Sequence, residues 1–494
     1  MTSYNSLDGI PITGDEWLLK NILRDEWKFR GFVVSDLYSV DGIWNSHHVV
    51  GSLEEAGIEA LKAGVDADLG AQGYSNLEKS LKEGKISMND IDTSVRRILR
   101  LKFEMGLFEN PYINENLVSE IRCEKHKKVA IEVARASITL LKNNGILPLN
   151  TEQKIAVIGP NANNTYNLLG DYTAPQDDGN VKTILYGIQQ KTKKVEYAKG
   201  CSIRDMNNSN IEEAVLVASK SDVIVVAVGG SSARDFKTSY QETGAASIDN
   251  DFISDMDCGE GFDRATLDLL GRQMELLANL KKTGKPIVVI YIEGRPLNKN
   301  WANENADGLI TAYYPGQEGG IAIADVLFGN YNPAGRLPVS VPRYVGQIPI
   351  YYNQKFPRYR EYMDMTGRPL YVFGYGLSYT TFKYENLSIS KKDKTKEVIV
   401  SFVITNTGKR DGEEVPQLYI HHVVSSTVQP MIQLKGFTRL MIKVGEKKKV
   451  VFTFEYDDFS IINKEMKRVV EAGTIEIMIG TSSENFVLKG SLIL

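Results

Sequence analysis

The spacing of apolar residues along the chain constrains its fold more than any other feature of the sequence. In residues 1–345, short apolar runs alternate with stretches in which apolar residues recur every three or four positions. This alternation is typical of strands and helices that together build a parallel sheet. After residue 386, apolar and polar residues alternate one by one, which predicts short antiparallel strands. We therefore expect a multidomain α/β protein that ends in a β-sandwich.

The first 118 residues contain three predicted parallel strands. Two apolar runs, residues 32–35 and 65–69, alternate with helical stretches, and residues 2–5 are interpreted as the end of an earlier strand. A closed barrel of eight such strand–helix units needs about 250 residues. Three strands alone would leave unpaired sheet edges. Residues 1–118 are therefore either a compact layer of three units or, as we expect, the last strands of a partial (β/α)8 barrel whose earlier strands are missing.

Residues 119–345 are predicted to form a second α/β domain. Three runs of β-branched residues have the composition of buried parallel strands, and they are residues 155–158, 223–228 and 286–292. The predicted helices of this domain are residues 125–142, 211–220 and 265–281. Residues 346–385 are rich in Pro, Tyr and Gly, which predicts a linker that wraps over the surface without regular elements. The β-sandwich is expected at residues 386–494.

The overall composition excludes several classes of function. The 494 residues carry a formal net charge of -4 without long runs of one sign, whereas nucleic-acid binding requires a basic stripe. The sequence has no apolar run of about 18 residues, so no membrane span is expected. Its first residues have neither a basic segment nor an apolar core, so no signal peptide is predicted within the chain.

The cysteines and histidines give no sign of a metal site. Cys123, Cys201 and Cys258 stand apart, in a spacing that fits neither a disulfide framework nor a zinc site. His47 and His48 are neighbours, and on a strand they would point to opposite faces. We therefore expect neither a metal nor a cofactor.

Two glycine-rich segments, residues 158–162 and 228–232, raise the alternative of a nucleotide-binding α/β protein. Neither segment contains the GxGxxG or GxxxxGK[ST] pattern that holds phosphates. Ordinary turns between strands and helices explain both segments. Ser231 and Ser232 also lack the G-x-S-x-G context of a serine hydrolase.

Asp36 is the first candidate for chemistry, because it follows the predicted strand at residues 32–35. In barrels the carboxyl end of the strands carries the active site, and a carboxylate there can act as a nucleophile. The simpler alternative, which position alone favours, is an aspartate that caps a helix or closes a turn.

Glu260 is the second candidate, because it lies between Gly259 and Gly261. Glycines permit the turns of a loop that exposes a side chain, although a glutamate in such a loop is usually only solvated. Cleavage of a glycosidic bond with retention needs two carboxylates about 5–5.5 Å apart. Nothing in the spacing of residues 36 and 260 shows that they meet, and they would have to come from different domains.

Six segments of the chain are similar, in sequence and in order, to one known family. They are residues 3–6 (SYNS), 31–36 (GFVVSD), 259–264 (GEGFDR), 314–320 (YPGQEGG), 332–338 (NPAGRLP) and 373–379 (FGYGLSY). Through these segments the chain resembles glycoside hydrolase family 3 over essentially its whole length. The resemblance implies a barrel domain, an α/β sandwich domain and a fibronectin-III-like β-sandwich. It also implies an exo-acting β-glucosidase or β-xylosidase that needs no cofactor.

The resemblance assigns a role to the residues that match the motifs of the family. Asp36 matches the nucleophile, which must be ionised to attack, and Glu260 matches the acid/base, which must hold a proton at the start of the reaction. Tyr4 matches a tyrosine that lines the sugar site beside the nucleophile. The implied reaction is a double displacement through a covalent glycosyl-enzyme. Asp263 and Arg264 are expected to brace the loop of Glu260 by pairing.

The chain departs from the family pattern in two places. Leu37 takes a substrate-site position where many members have an aromatic residue. The earlier barrel strands of the family carry an Asp, an Arg and a Lys-His pair that grip the sugar hydroxyls, and this chain has no counterpart for them. The alternative function is therefore a catalytically incomplete fragment that acts only as a carbohydrate-binding or partner-dependent subunit.

The resemblance also implies the partners of the chain. An oligosaccharide or another β-glycoside is the expected substrate, and either glucose or xylose fits as the terminal sugar. A homo-oligomer, and a partner that supplies the missing barrel portion, both stay open. Members of the family suggest a location in the periplasm or outside the cell.

Overall fold

Helices predominate in the first of the two units into which the chain divides. The computed structural model describes residues 1–70, 72–234, 254–261, 263–392 and 394–494, and its two compact units are Met1–Ile121 and Arg122–Leu494. The helices of the first unit are α1 (Ser39–Asn45), α2 (Leu53–Ala63), α3 (Leu77–Lys82) and α4 (Met88–Glu104), with a π-helix at Trp17–Glu26. Its 3-10 turns are Ile12–Gly14, Gly73–Asn76 and Glu115–Glu120. A short antiparallel hairpin consists of β1 (Ser6–Leu7) and β2 (Ile10–Pro11).

The three predicted strand segments of this unit lie side by side. Val34 and Ala67 form a parallel bridge, and the N–H of Ser35 donates to the carbonyl oxygen of Ala67 at 2.9 Å. On the other side, the N–H of Thr2 donates to the carbonyl oxygen of Val34 at 3.0 Å. The predicted neighbours are therefore present, but each pairing is a single bridge or bond and not the regular strand that the sequence predicts. A ladder needs several consecutive pairs, and the chain leaves these segments for helices after three or four residues.

Helix α4 begins at a capping box. The side chain of Ser87 accepts the N–H of Asp90, and the side chain of Asp90 accepts the N–H of Ser87 at 2.8 Å. Together these bonds satisfy two donors that a helix start would leave unpaired. Two apolar residues of α4, Val95 and Leu99, are 45% and 40% exposed. Part of this apolar helix face is therefore not buried by any of the residues that the structure describes.

A mixed six-stranded sheet forms the centre of the first half of the second unit. Its strands are β3 (Thr139–Asn143), β4 (Ile155–Ile158), β5 (Val195–Ala198), β6 (Val223–Gly229), β7 (Ile287–Ile292) and β8 (Gly308–Thr311). The helices of this region are α5 (Glu124–Ser137), α6 (Ile184–Gln189), α7 (Ile211–Ser219), α8 (Gln273–Lys281), α9 (Asn300–Asn305) and α10 (Gly319–Leu327). The strand order is β3-β8-β7-β6-β4-β5, and all pairs are parallel except β3 with β8.

Alternate residues of these strands pack into two separate hydrophobic cores. In β4, Ile155 and Val157 belong to one core, and Ala156 and Ile158 belong to the other. A sheet that is buried on both faces requires apolar residues at every position, which explains the continuous β-branched runs. The predicted second α/β arrangement is therefore confirmed.

The prediction of one helix over residues 125–142 is wrong beyond Ser137. Helix α5 ends there, and β3 begins at Thr139 as an antiparallel edge strand beside β8. Leu140 packs into one core and Leu141 into the other. Neighbouring residues reach opposite cores only in a strand, so burial on both sides overrides the helical pattern of the sequence.

The predicted helix at residues 265–281 also starts later than expected. Helix α8 begins at Gln273. In the preceding stretch the hydroxyl group of Thr266 donates to the carboxylate of Asp268 at 3.0 Å, and Gly271 has a φ of +60°. A positive φ is incompatible with a right-handed helix, so the helix cannot extend back through Gly271.

The segment after the sheet is irregular over most of its length, and the strand β9 begins at Phe382, inside the bounds predicted for the linker. The structure assigns no helix or strand to residues 348–381, all of which it describes. Instead, this linker bonds to both neighbouring regions. Arg358 and Tyr359 donate to the carbonyl oxygen of Ser483 at 2.9 Å and to the carboxylate of Glu484 at 2.8 Å. At its other end, the N–H of Leu377 donates to the carbonyl oxygen of Leu140 in β3 at 2.8 Å.

The last region is the predicted antiparallel β-sandwich. Its strands are β9 (Phe382–Lys392), β10 (Glu397–Asn406), β11 (Gly412–Glu414), β12 (Gln417–His422), β13 (Gln433–Phe437), β14 (Leu440–Ile442), β15 (Lys447–Glu455), β16 (Ile461–Ile462), β17 (Arg468–Val469), β18 (Thr474–Gly480) and β19 (Phe486–Ile493). The two main sheets have the orders β15-β10-β9 and β13-β12-β18-β19. Val398, Val400, Phe402 and Ile404 of β10 are all fully buried, so every second residue faces the core. Across the described residues, none of the helices combines the length and apolar character of a bilayer span.

Candidate active site

Asp36 lies at the carboxyl end of its strand segment in the first unit, two residues after the bridge between Val34 and Ala67. The N–H of Leu37 donates to Oδ1 of Asp36 at 2.8 Å, and the N–H of Ser39 donates to the carbonyl oxygen of Asp36 at 3.0 Å. The residue is half-buried. Asp36 is therefore held in a tight turn by main-chain groups immediately before α1.

The turn itself depends on an unusual backbone conformation at Tyr38. This residue has a φ of +59° and occupies the N-cap position of α1, and its N–H donates to the carbonyl oxygen of Leu69 at 2.8 Å. The N-cap of α1 is thus Tyr38 and not Asp36, so the helix-capping alternative does not apply to Asp36. Non-glycine residues in this conformation are uncommon, and they cluster at functional sites.

Tyr4 and Leu37, the two predicted substrate-site residues, meet beside Asp36. The hydroxyl group of Tyr4 donates to the carbonyl oxygen of Leu37 at 2.8 Å. The carbonyl oxygen of Tyr4 lies 2.7 Å from Nε2 of His47. Tyr4 is 43% exposed and lies next to the turn that carries Asp36. The sequence motifs had related these three residues, and the structure brings them together.

A buried carboxylate, Asp66, fixes the segment that leads to Asp36. Its side chain is fully buried and accepts from Nη2 of Arg24, from Nη1 of Arg97 and from the N–H of Val33, each at 2.8 Å. Two guanidinium groups and a backbone donor therefore satisfy one carboxylate. Asp66 was not predicted from the sequence, because its two arginine partners come from helical segments that are distant from it in sequence.

A second buried carboxyl group lies in α1, close to the same segment. Burial, and then the negative charge of Asp68, raise the pKa of Asp41 above its ordinary value. The hydroxyl group of Ser35 lies 3.5 Å from Oδ1 of Asp68 and accepts the N–H of Leu69 at 2.8 Å. Ser35 thereby connects the two strand segments next to Asp36.

Glu260 lies in the second unit, within the short described stretch 254–261. Its side chain is 34% exposed, and its Oε2 atom is buried without a hydrogen-bond donor among the residues that the structure describes. Nη2 of Arg234 lies 3.8 Å from this oxygen, which is an ion-pair distance and longer than a hydrogen bond. Gly261 follows with a φ of +88°, a conformation that glycine adopts without strain.

Both ends of the Glu260 loop are fixed by ion pairs. Nη1 of Arg264 lies 2.7 Å from Oδ2 of Asp257, and the two side chains are only 4% and 1% exposed. Oδ1 of Asp257 also accepts the N–H of Ser231, which follows β6. Asp263 pairs with Arg295, and this hydrogen bond lowers the pKa of Asp263. Asp263 and Arg264 are therefore placed where bracing of the loop was expected.

A buried charge pair positions the loop that carries Arg295. Nζ of Lys299 lies 2.7 Å from the carboxylate of Glu293, and both side chains are buried. The carboxylate of Glu293 also accepts the N–H of Leu297 at 3.0 Å. Glu293 follows β7 and Ser231 follows β6, and these strands are parallel neighbours. The Glu260 loop thus lies at the carboxyl edge of the sheet, where ligand sites of α/β sheets occur.

Comparison with known proteins places both regions in one family. Residues 1–101 match the glycosyl hydrolase family 3 N-terminal domain, residues 138–379 match the glycosyl hydrolase family 3 C-terminal domain, and residues 414–483 match a fibronectin type III-like domain. A β-xylosidase from Formosa agariphila is 38% identical over 520 residues, and this alignment covers 99% of the chain and 68% of the relative. The chain belongs to glycoside hydrolase family 3. The predicted family, fold class and enzyme class are thereby confirmed.

Other members of the family agree in sequence and in structure. A periplasmic β-glucosidase from Salmonella typhimurium is 37% identical over 99% of the chain and 67% of its own length. The structure of a β-glucosidase from Erythrobacter marinus superposes on all of the chain and 67% of its own with a TM-score of 0.87 at 36% identity. For a β-glucosidase from Listeria innocua in complex with isofagomine, the TM-score is 0.89 at 30% identity. This family 3 chain therefore spans about two thirds of the length of these relatives.

Several residues that shape the site of this family 3 hydrolase were not predicted from the sequence. Arg234, Asp257 and Arg295 surround the Glu260 loop, but the sequence separates Arg234 and Arg295 from Glu260 by long stretches. The spacing of Asp257 and Arg264, one on each side of Gly-Glu-Gly, was an available sign of a pair that closes the loop.

Proposed function

We propose that this chain is an exo-acting retaining β-glycosidase that removes terminal β-D-glucosyl or β-D-xylosyl residues from oligosaccharides. Asp36 is the nucleophile and Glu260 is the acid/base. The observation that supports this most is the position of Asp36 at the carboxyl end of a parallel strand segment, in a strained turn beside Tyr4. The names of the relatives, which are β-xylosidases and β-glucosidases, support the choice of substrates.

In the first step, a carboxylate oxygen of Asp36 attacks the anomeric carbon and the bond to the leaving oxygen breaks. The main-chain N–H of Leu37 holds Oδ1, so Oδ2 is assigned to the attack. Tyr4 and Leu37 form part of the surface that the sugar contacts. The sugar carries positive charge as the bond breaks, and the ionised Asp36 stabilises that charge before it forms the covalent bond.

Glu260 donates its proton to the leaving oxygen in the first step. In the second step it removes a proton from water, and the resulting hydroxide releases the sugar from Asp36. The ion pairs of Asp263 and Arg264 hold the two ends of the loop while its charge alternates. This division of roles assigns the nucleophile and the acid/base to different units of the chain.

Covalent trapping tests the proposal directly. The chain is incubated with a 2-deoxy-2-fluoro β-glucoside and a 2-deoxy-2-fluoro β-xyloside, each with a dinitrophenyl leaving group, and is then mapped by peptide mass spectrometry. A sugar attached to Asp36, and none in Asp36→Asn, is the expected result. Attachment to a different residue would refute the role of Asp36. The sugar that labels faster identifies the preferred substrate.

Turnover measurements separate catalysis from binding alone. Hydrolysis of an aryl β-glycoside is expected for the wild-type chain and is abolished in Asp36→Asn. The alternative, a carbohydrate-binding or partner-dependent subunit, is favoured by the exposed Val95 and Leu99 on α4. Binding of the glycoside without turnover by the wild-type chain would support this alternative and overturn the proposed activity.

A further inference from the structure

We infer that Arg234 is a positioning residue for Glu260 and that it determines which carboxylate oxygen carries the catalytic proton. The inference rests on the proposed role of Glu260 as acid/base. Arg234 belongs to none of the six sequence segments that identify the family, and it lies 26 positions before Glu260 in the chain. Three contacts of its guanidinium group support this role.

The guanidinium group of Arg234 is fixed from two sides. Its Nε donates to Oδ1 of Asp171 at 2.8 Å. Its central carbon lies 4.1 Å from the centroid of the Tyr172 ring, a cation–π distance. The side chains of Arg234 and Asp171 are 15% and 19% exposed. A guanidinium held by an anion and an aromatic face has little freedom to rotate.

The third contact is with Glu260. Nη2 of Arg234 lies 3.8 Å from Oε2, and Oε2 is buried. A guanidinium group has only donors and does not lose its proton in proteins. The cation attracts the unprotonated oxygen more strongly than a protonated one, so Oε2 is assigned as the unprotonated oxygen and Oε1 as the oxygen that carries the proton. The glutamate side chain as a whole is 34% exposed, which leaves the outer part of the carboxyl group open to the leaving oxygen.

Asp171 balances the charge of Arg234. The acid/base is neutral before it donates its proton and negative afterwards. Because Asp171 pairs with the same guanidinium, Arg234 can orient Glu260 while the net charge of the arginine–aspartate pair is zero.

The test compares substrates that do and do not need a protonated leaving group. We measure kcat/KM of the full chain on a 2,4-dinitrophenyl β-glycoside, whose leaving group departs as an anion, and on an alkyl β-glycoside of the same sugar. General acid catalysis contributes about 100- to 10,000-fold, and the substitution Arg234→Ala is expected to remove about 10- to 100-fold of this on the alkyl substrate. On the dinitrophenyl substrate the loss is expected to stay below about threefold.

Three further variants make the result specific. Arg234→Lys keeps the charge and should recover part of the activity on the alkyl substrate. Asp171→Asn should change activity in the same direction as Arg234→Ala, but less. Arg272→Ala removes an arginine that pairs with Glu275, whose side chain is 49% exposed, and it should change neither activity. Equal losses of Arg234→Ala on both substrates would mean a structural role and would overturn the inference.

Glu260→Ala separates failure of this inference from failure of the proposed function. If Glu260→Ala loses activity mainly on the alkyl substrate but Arg234→Ala does not, Glu260 is the acid/base and Arg234 does not position it. If Glu260→Ala loses both activities equally, the acid/base assignment itself fails. A crystal structure of Arg234→Ala provides a readout that does not depend on turnover. We expect the Glu260 carboxyl group to move or become disordered, and an unchanged position would also overturn the inference.

Discussion

The two candidate catalytic carboxylates are held by different kinds of interaction. Asp36 is fixed by main-chain hydrogen bonds, from Leu37 to its side chain and from Ser39 to its carbonyl oxygen. Glu260 lies in a loop whose ends are fixed by side-chain ion pairs. A main-chain hydrogen bond persists when most side chains are substituted, whereas an ion pair is lost when either of its two side chains is replaced. Single substitutions should therefore disturb the surroundings of Glu260 more than those of Asp36.

The largest expected effect on stability is that of Arg264→Ala. This substitution leaves the carboxylate of Asp257, which is 1% exposed, without its cation. Removing one partner of a buried ion pair costs roughly 3–5 kcal/mol. Denaturant unfolding of the variant, followed by intrinsic fluorescence, measures the change in free energy. Arg272→Ala is the matched control, and a loss no greater than that of the control would show that side-chain pairing does not fix this loop.

Asp66→Asn tests the corresponding charge cluster of the first unit. The amide keeps the shape of the carboxylate, but Arg24 and Arg97 lose their anionic partner. Hydrogen bonds to charged groups contribute about 1.5–3 kcal/mol each, so we expect a loss of roughly that size. Hydrogen exchange measured by mass spectrometry should show faster exchange in residues 1–121 and unchanged exchange in the β-sandwich. Equal acceleration in both regions would contradict a local role for Asp66.

Asp263→Ala should have a smaller effect, because Asp263 is 74% exposed. An exposed ion pair contributes less than about 1 kcal/mol. Arg295 lowers the pKa of Asp263 from its ordinary 3.8, so the contribution of the pair is present above pH 3.8 and is lost as the pH falls further. Stability curves of the wild-type chain and Asp263→Ala should therefore converge below that pH. Curves that stay parallel at low pH would exclude this pair as the cause.

The smallest expected effect is the contribution of two buried thiol groups to stability. The labelling of one of them, Cys258, also shows whether the Glu260 loop is closed. Burial raises the pKa of Cys258 to about 11 and that of Cys201 to about 12, from an ordinary value of 9.0. Both thiols should stay unlabelled by iodoacetamide in the native chain at pH 8, because only the thiolate reacts. Since the unfolded thiols ionise near pH 9, these two groups favour the native state below that pH and lose this contribution as the pH rises. Labelling of Cys258 but not Cys201 in Arg264→Ala would show that the loop has opened.

Much of the fold could be predicted because the burial of a strand determines its pattern of apolar residues. The run at β6 is apolar at every position since both faces of the sheet are covered, and β10 alternates since only one face of its sheet is covered. The strand β3 could not be predicted in this way. Its residues continue the helical spacing of α5. They form a strand because they contact two hydrophobic cores, which are built from chain segments far away in sequence.

The candidate site was predictable to the extent that it depends on local motifs. Asp36, Leu37 and the loop of Glu260 lie within short segments that the sequence presents intact. Tyr4 was found through its own motif, although its contact with Leu37 spans more than 30 positions. Arg234, Arg295 and Asp66 act through ion pairs across long stretches of chain. The sequence shows that such residues are charged but not which residue each of them pairs with. Their roles can therefore be identified only in the folded structure.

The linker that follows the six-stranded sheet should hold the second unit together even after a protease has cut it. It bonds to β3 through Leu377 and to the β-sandwich through Arg358 and Tyr359. A single cut near residue 363, where Met363 is fully exposed, would leave the two pieces joined by non-covalent contacts. We expect such a nicked chain to elute from gel filtration as one species and to unfold in one thermal transition. The β-sandwich would then be an integral part of the second unit and not an independent module on a flexible linker.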